Sequence, residues 1–170
     1  MHFKLEFTYY LKRESIKYYR IRKRLSDLPL LVFIIGEILC LFVISVVFKL
    51  VFKQMPVHPD SDTIYVTILA IVFAPFIETF AFQLIPIEVS QFVFRSYFRK
   101  RFQPFSIVIS SFIFAIVHCY NIYYMIYAFL VGILMSSAYM IKMGKSIVKP
   151  FVAVYAAHLI WNILSVLFRH

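Results

Sequence analysis

Five stretches of the chain are apolar enough to read as membrane spans, separated by short polar segments. The first runs from Leu28 to Phe52, is opened by Pro29, is broken once by Glu37, and closes at Lys49 and Lys53. At about 1.5 Å per helical residue it is long enough to cross a bilayer. A loop rich in Pro and Asp, QMPVHPDSD at 54–62, comes next. The second stretch begins at Thr63 and stays apolar to Ile85, with Pro75 and Pro86 as expected kinks. The third runs from Phe105 to about Tyr120, with Pro104 suited to the first helical turn. NIYY reads as a short turn. The fourth stretch is Met125 to Ile141, succeeded by a basic turn, KMGKSIVKP, with Gly144 as the expected helix stop. The fifth is Phe151 to Phe168.

The piece between the second and third stretches, IEVSQFVFRSYFRKRF, decides whether distant polar residues meet. If the second span ended at Pro86, Glu78 would lie near one membrane face. His118 would then lie about 20 Å deep, fourteen residues past Pro104. Phe92, Val93, Phe94 and Phe98 are apolar enough to continue the span as a kinked helix over 87–100. That continuation places Glu78 about six turns before Arg99, at a depth similar to that of His118. It is the reading we adopt.

Composition narrows the class. The chain is 62% hydrophobic and 15% charged, against about half and a quarter for soluble domains. With 20 Phe and 12 Tyr in 170 residues, too little polar surface remains to keep it in water. The expected architecture is all-α: a polytopic membrane helix bundle of about five spans plus an N-terminal amphipathic helix. Residues 1–27 form that basic segment, with eight Lys or Arg against three acids; residues 28–170 form one transmembrane domain. LKRESIKYYRIRKRLSD suits a helix lying on a membrane face.

The net charge of +10 is patchy. The basic segments are 1–24, 95–101 and 142–149, and five spans put all three on one side. The positive-inside rule makes that side cytoplasmic. The basic charge suits anionic lipid head groups rather than nucleic acid, so lipid is an expected partner and nucleic acid is not. A multi-pass protein of a bacterial plasma membrane, N-terminus in the cytoplasm, is the expected location. No cleavable signal peptide is expected. Cys40 and Cys119 show neither CxxC nor zinc spacing.

Ionisable groups inside spans are costly and mark candidate functional sites. Here they are Glu37, Glu78, His118 and His158, with Asn162 as a polar companion. His158 and Asn162 are four apart, hence one turn apart on one helix face. Together they offer two donors that suit a developing oxyanion; helix–helix hydrogen bonding is the plainer alternative. Phe114 lies four before His118, placed to dry and orient the ring, although a lone His at a span end is often structural. Carboxylates in dry surroundings take up protons near neutral pH, which suits Glu78 to general-base work. Thr79 and Gln83 form a second pair at the same spacing. We expect them to bond to each other or to neighbouring helices as support, along with Phe82 and Phe114. HExxH, GxSxG and a phosphate-cradling glycine loop are all missing from the sequence. Glu78, His118 and His158 could bind a divalent metal by residue type, but their spacing is looser than that of most zinc sites.

In order, these elements resemble the CPBP intramembrane protease family, which includes CAAX prenyl endopeptidases, bacteriocin-processing enzymes and Abi-type proteins. Its pattern is PxxEExxFR, then FxxxH, then HxxxN. Pro75, Glu78 and Phe82 match the first motif, Phe114 and His118 the second, and His158 and Asn162 the last. The resemblance covers about 63–165, with the small-residue fourth run and its Gly132 as the intervening helix. It implies an intramembrane endopeptidase acting on a peptide or protein tail, with or without a lipid group, reached from the cytoplasmic side. It further implies that Glu78 and His118 activate a water, and that His158 and Asn162 stabilise the tetrahedral intermediate. Metal involvement is left open by the motifs. The chain departs from the pattern at Thr79 and Gln83, where the family has Glu and Arg. Losing one of a buried ion pair costs roughly 3–5 kcal/mol, whereas replacing both by neutral groups is nearly neutral. Two alternatives stand beside the peptidase: a non-catalytic membrane scaffold of immunity or partner-binding type, and a small proton-coupled transport subunit using Glu37 and Glu78. Glu37 has no assigned role.

Overall fold

The computed structural model describes residues 18–52, 69–98, 102–144 and 146–167. The loop 54–62, the start of the second stretch at Thr63 and most of the basic N-terminal segment lie outside them. Residues 18–27 are helical (α1). Next come α2 (Leu30–Phe52), a long bent helix over 69–98 (α3), α4 (Phe102–Val117), α5 (Ile122–Lys142) and α6 (Val148–Leu167). The described residues contain no strand.

Four helical segments are long and apolar enough to cross a membrane: Leu30–Phe52, Ile71–Val93, Ile122–Lys142 and Val148–Leu167. The third of the five expected spans is shorter, the apolar helix Gln103–Val117. The protein is therefore an all-α integral membrane bundle. Large apolar side chains such as Leu31, Leu39, Phe42, Leu50, Phe92, Phe112 and Leu167 face outwards, as expected where lipid replaces water as solvent.

The helices share two ends. At one end α1 packs under the C-terminus of α5. Arg22 Nη2 donates to the Met140 carbonyl at 2.8 Å, and Lys142 Nζ donates to the Ser26 and Leu28 carbonyls at 3.1 and 2.7 Å. The same ammonium sits 4.5 Å from the Phe33 ring centroid. Cations here satisfy the carbonyls that a helix C-terminus leaves unbonded. At the other end α2 finishes against the start of α5: Phe48 packs on Tyr127 with centroids 5.4 Å apart, and Phe52 on Tyr123 at 5.6 Å. Between them Tyr127 and Ser45 hydroxyls are 2.7 Å apart, and Ser45 Oγ donates to Leu41 O. Ser45 has one proton and uses it on Leu41, so Tyr127 is the donor to Ser45.

Helix starts agree with the sequence reading to within a few residues, and the differences have local causes. α5 begins at Ile122 rather than Met125 because Asn121 caps it, its Oδ1 accepting from Tyr124 N at 2.8 Å. The expected turn NIYY is thus mostly helix. α4 and α6 each begin three residues earlier than the expected stretches, holding Pro104 and Pro150 in their first turns, where a missing N–H costs nothing. At the far end of α5 the chain is already extended at Met143 (φ −60°, ψ 124°), so the helix ends at Lys142, two residues before Gly144.

α3 is the element that positions the site. Its path is helical through Pro75 and Pro86 to Phe98, confirming the continued span. It is not simply kinked. Each proline stands two residues past the end of a π-helical turn, Leu69–Phe73 for Pro75 and Thr79–Leu84 for Pro86. The second case can be traced atom by atom. Pro86 has no N–H for the carbonyl four residues back, that of Phe82. The Ile85 N–H bonds to Phe80 O, five residues back, and the released Phe82 carbonyl accepts instead from Ser110 Oγ of α4. Ser110 has then spent its proton, so the 2.7 Å contact between Ser110 and Ser136 hydroxyls runs from Ser136 of α5. One proline thereby ties three helices together.

α4 and α5 approach closely along small residues. Ser106, Ser110, Ser111 and Ser136 are all fully buried. A Cβ on Gly132 would meet Ser111 Cα at 2.9 Å, closer than any side chain tolerates, so Gly132 is what lets the two backbones come together.

Candidate active site

The bundle brings three of the four expected site residues to one point. Glu78 ends the short α-helical segment Ala74–Glu78 of α3, just before the second π-turn. His118 lies just past the last turn of α4, and His158 lies mid-way along α6. Glu78 Oε1 is 3.7 Å from His118 Nε2, and Glu78 Oε2 is 3.5 Å from His158 Nε2. One carboxylate therefore faces two imidazoles with a different oxygen each. Both distances exceed an ordinary hydrogen bond, so each gap suits a bridging group rather than a direct contact. The histidine side chains are 11% and 6% exposed and that of Glu78 is 20% exposed. The carboxylate is the most accessible member.

The imidazole of His118 is fixed in tautomer and in plane. Its Nδ1 lies 2.8 Å from the Phe114 carbonyl, which only accepts, so the proton is on Nδ1 and Nε2 is turned towards Glu78. Phe114 packs against it with centroids 4.3 Å apart, and also lies near Phe82 (6.1 Å) and His158 (6.3 Å). Phe114 and Phe82 thus stand where support was expected, walling the site with apolar rings. Tyr124, which the sequence reading did not single out, stacks on His118 from α5 at 6.0 Å and 26°. An aromatic six residues past a candidate His carries no motif signal; only the tight turn at Asn121 brings it back over the ring.

Asn162 lies one helical turn beyond His158 on α6 and is partly exposed. His158 is buried, and its Nδ1 has no hydrogen-bond partner in the protein.

Thr79 and Gln83 differ from expectation. Both are fully buried, but they bond neither to each other nor to a neighbouring helix: Thr79 Oγ1 and both polar atoms of the Gln83 carboxamide lack protein partners. The π-turn explains why. The expected four-residue pairing assumes α-helical geometry, and residues 79–84 take the wider i→i+5 path. Glu37 is also buried with neither oxygen bonded, and it stands on α2, apart from the motifs.

The site lies away from the basic end of the bundle. α4 rises about 24 Å over its 16 residues, so His118 sits at the end of α4 opposite Phe102, whereas Arg22 and Lys142 bond at the C-terminus of α5. The expectations of a cytoplasmic basic face and of a substrate arriving from the cytoplasm therefore pull apart. Among the described residues, no three His, Cys, Asp or Glu side chains are arranged to hold a metal ion.

Fold and site together define a polytopic membrane protein with a glutamate and two histidines from three helices gathered inside the bundle. The family model of the type II CAAX prenyl endopeptidase Rce1-like proteins matches residues 60–164, and the chain belongs to that family. At family level it is a CAAX-type intramembrane protease. The match includes α3 to most of α6 and leaves α1 and α2, with Glu37, outside it. Neither the curated proteins nor the solved structures gave a match to the chain.

Proposed function

We propose that the chain is an active intramembrane endopeptidase, with Glu78 and His118 holding the attacking water. The observation that carries this reading is the placement of one carboxylate within 4 Å of two imidazole Nε2 atoms contributed by separate helices. A water between Glu78 Oε1 and His118 Nε2 gives up a proton to Glu78 as its oxygen attacks the peptide carbonyl carbon. The carbonyl oxygen becomes an oxyanion, and His158 Nε2–H and the Asn162 carboxamide donate to it. Collapse of the intermediate breaks the C–N bond, and Glu78 returns the proton to the leaving amine. Apolar rings around His118 keep competing water out and strengthen each polar contact.

The substrate is the C-terminal tail of a membrane-associated peptide or protein, lipidated in the way the family description implies. With the basic end cytoplasmic, the site lies in the opposite half of the membrane and the tail enters from that half. Exposed cations of α1, such as Arg20 and Arg24, rest on anionic head groups.

The test is cleavage of a fluorescent farnesylated CAAX peptide by the full chain in lipid vesicles. Wild type cleaves it; Glu78→Gln and His118→Ala do not. Equal cleavage by all three would sink the proposal. One observation favours a second reading, a non-catalytic scaffold that keeps the fold: neutral Thr79 and Gln83 in place of a charged pair. On that reading the wild type cleaves nothing, and partner binding survives both substitutions.

A further inference from the structure

We propose that Thr79 and Gln83 bind an internal water beside the second π-turn of α3, and that this water positions Glu78. A buried polar atom left unbonded keeps its full desolvation cost, and inside a membrane no bulk solvent relieves it. Three such atoms belong to this one turn: Thr79 Oγ1, Gln83 Oε1 and Gln83 Nε2. Both residues are fully buried and both belong to Thr79–Leu84. Two of the three atoms accept and the carboxamide nitrogen donates, while the threonine hydroxyl does either. A buried water makes about three hydrogen bonds, donating two and accepting one or two. The set matches in number and in kind.

The surroundings are polar as well. The residue before Gln83 is Phe82, whose carbonyl is already held by the Ser136–Ser110 relay from α5 and α4. The π-turn is thus fixed on its α4 side by serines, while its other polar atoms, on Thr79 and Gln83, have no protein group to hold them. A water bonded to both side chains closes the wide turn at each end. Thr79 is covalently next to Glu78, so whatever holds its side chain sets the rotation of α3 at the carboxylate. Thr79 and Gln83 are therefore positioning residues; they touch neither substrate nor reacting water. The kinetic half of the proposal rests on the peptidase reading, and the hydration half does not.

The experiment uses the full chain in deuterated lipid vesicles, with water itself as the probe. Water-edited solid-state NMR of side-chain ¹⁵N-glutamine protein reads transfer from water to each carboxamide. The Gln83 peak is assigned by its loss in Gln83→Met, or in Gln83→Asn should the first variant not fold. Fast transfer to Gln83, lost on Thr79→Val, is the expected result. A Gln83 carboxamide that receives no magnetisation from water overturns the proposal and leaves the peptidase reading standing. In the kinetic arm, Thr79→Val and Gln83→Met lower kcat on the farnesylated peptide by up to about 100-fold, as misplacing a reacting group does. KM is little changed, and Thr79→Ser restores kcat. An unchanged kcat with water present overturns the positioning role. Should Glu78→Gln cleave like wild type while the water signal persists, it is the peptidase reading that fails.

Discussion

Glu78 and Glu37 are both carboxylates held within this bundle, and their surroundings could hardly differ more. Glu78 stands between two imidazoles and keeps a fifth of its side chain accessible. Glu37, on the inner stripe of α2 between Phe33 and Leu41, is buried with neither oxygen bonded to protein. By sequence they look alike, each a single acid in a run of Ile, Leu and Phe. A buried acid marks chemistry when other elements deliver partners to it; burial alone marks only a cost.

That contrast is open to direct attack. The largest effect expected is from Glu78→Gln, which keeps shape and removes the base: cleavage falls by about 100- to 10,000-fold, read as kcat/KM in vesicles. If Glu37→Gln does the same, the distinction between the two acids collapses. Asn162→Ala tests the other side of the site. Loss of one oxyanion donor lowers kcat by about 100- to 1,000-fold, and a variant that changes KM alone would assign Asn162 to substrate binding instead. Glu37→Leu sharpens the comparison from the opposite direction. Removing two orphaned oxygens stabilises the fold by about 1–3 kcal/mol, visible as a higher thermal midpoint with cleavage intact. Gly132→Ala should cost about 1–3 kcal/mol by forcing α4 and α5 apart at Ser111; an unchanged midpoint would show that the helices shift freely there. The smallest perturbation concerns sidedness. Cys119 is exposed and adjoins His118. In a Cys40→Ala background, an impermeant maleimide should label it only from the face opposite residues 142–149.

The spans and their order were legible because hydropathy and charge are properties of composition along the chain, and the bilayer enforces them. The continued helix beyond Pro86 was legible for the same reason, from Phe92, Val93 and their neighbours. Glu78, His118 and His158 could be picked out because ionisable groups are rare in such runs. Geometry that depends on tertiary contact could not be read. At the π-turn Thr79–Leu84, Ser110 takes the Phe82 carbonyl that Pro86 leaves free, and no local pattern in TFAFQL announces a serine some thirty residues away. The failed Thr79–Gln83 hydrogen bond is a consequence of that turn. Tyr124 over His118 likewise needed the Asn121 cap, which shortens the connection between α4 and α5.

The π-turn also makes the site sensitive to chain length. Each residue added to or taken from a helix rotates its downstream part by about 100° relative to its upstream part. A π-turn takes up one residue more than the α-helix of equal rotation, so relaxing Thr79–Leu84 to ordinary α-helix with all its residues kept would swing Glu78 about a quarter-turn away from Pro86 and the rest of α3. Every side chain of the Glu–His–His cluster would still be present, and the carboxylate would face lipid or a neighbouring helix. In this protein the aim of Glu78 is encoded as a count of residues as much as by their kinds.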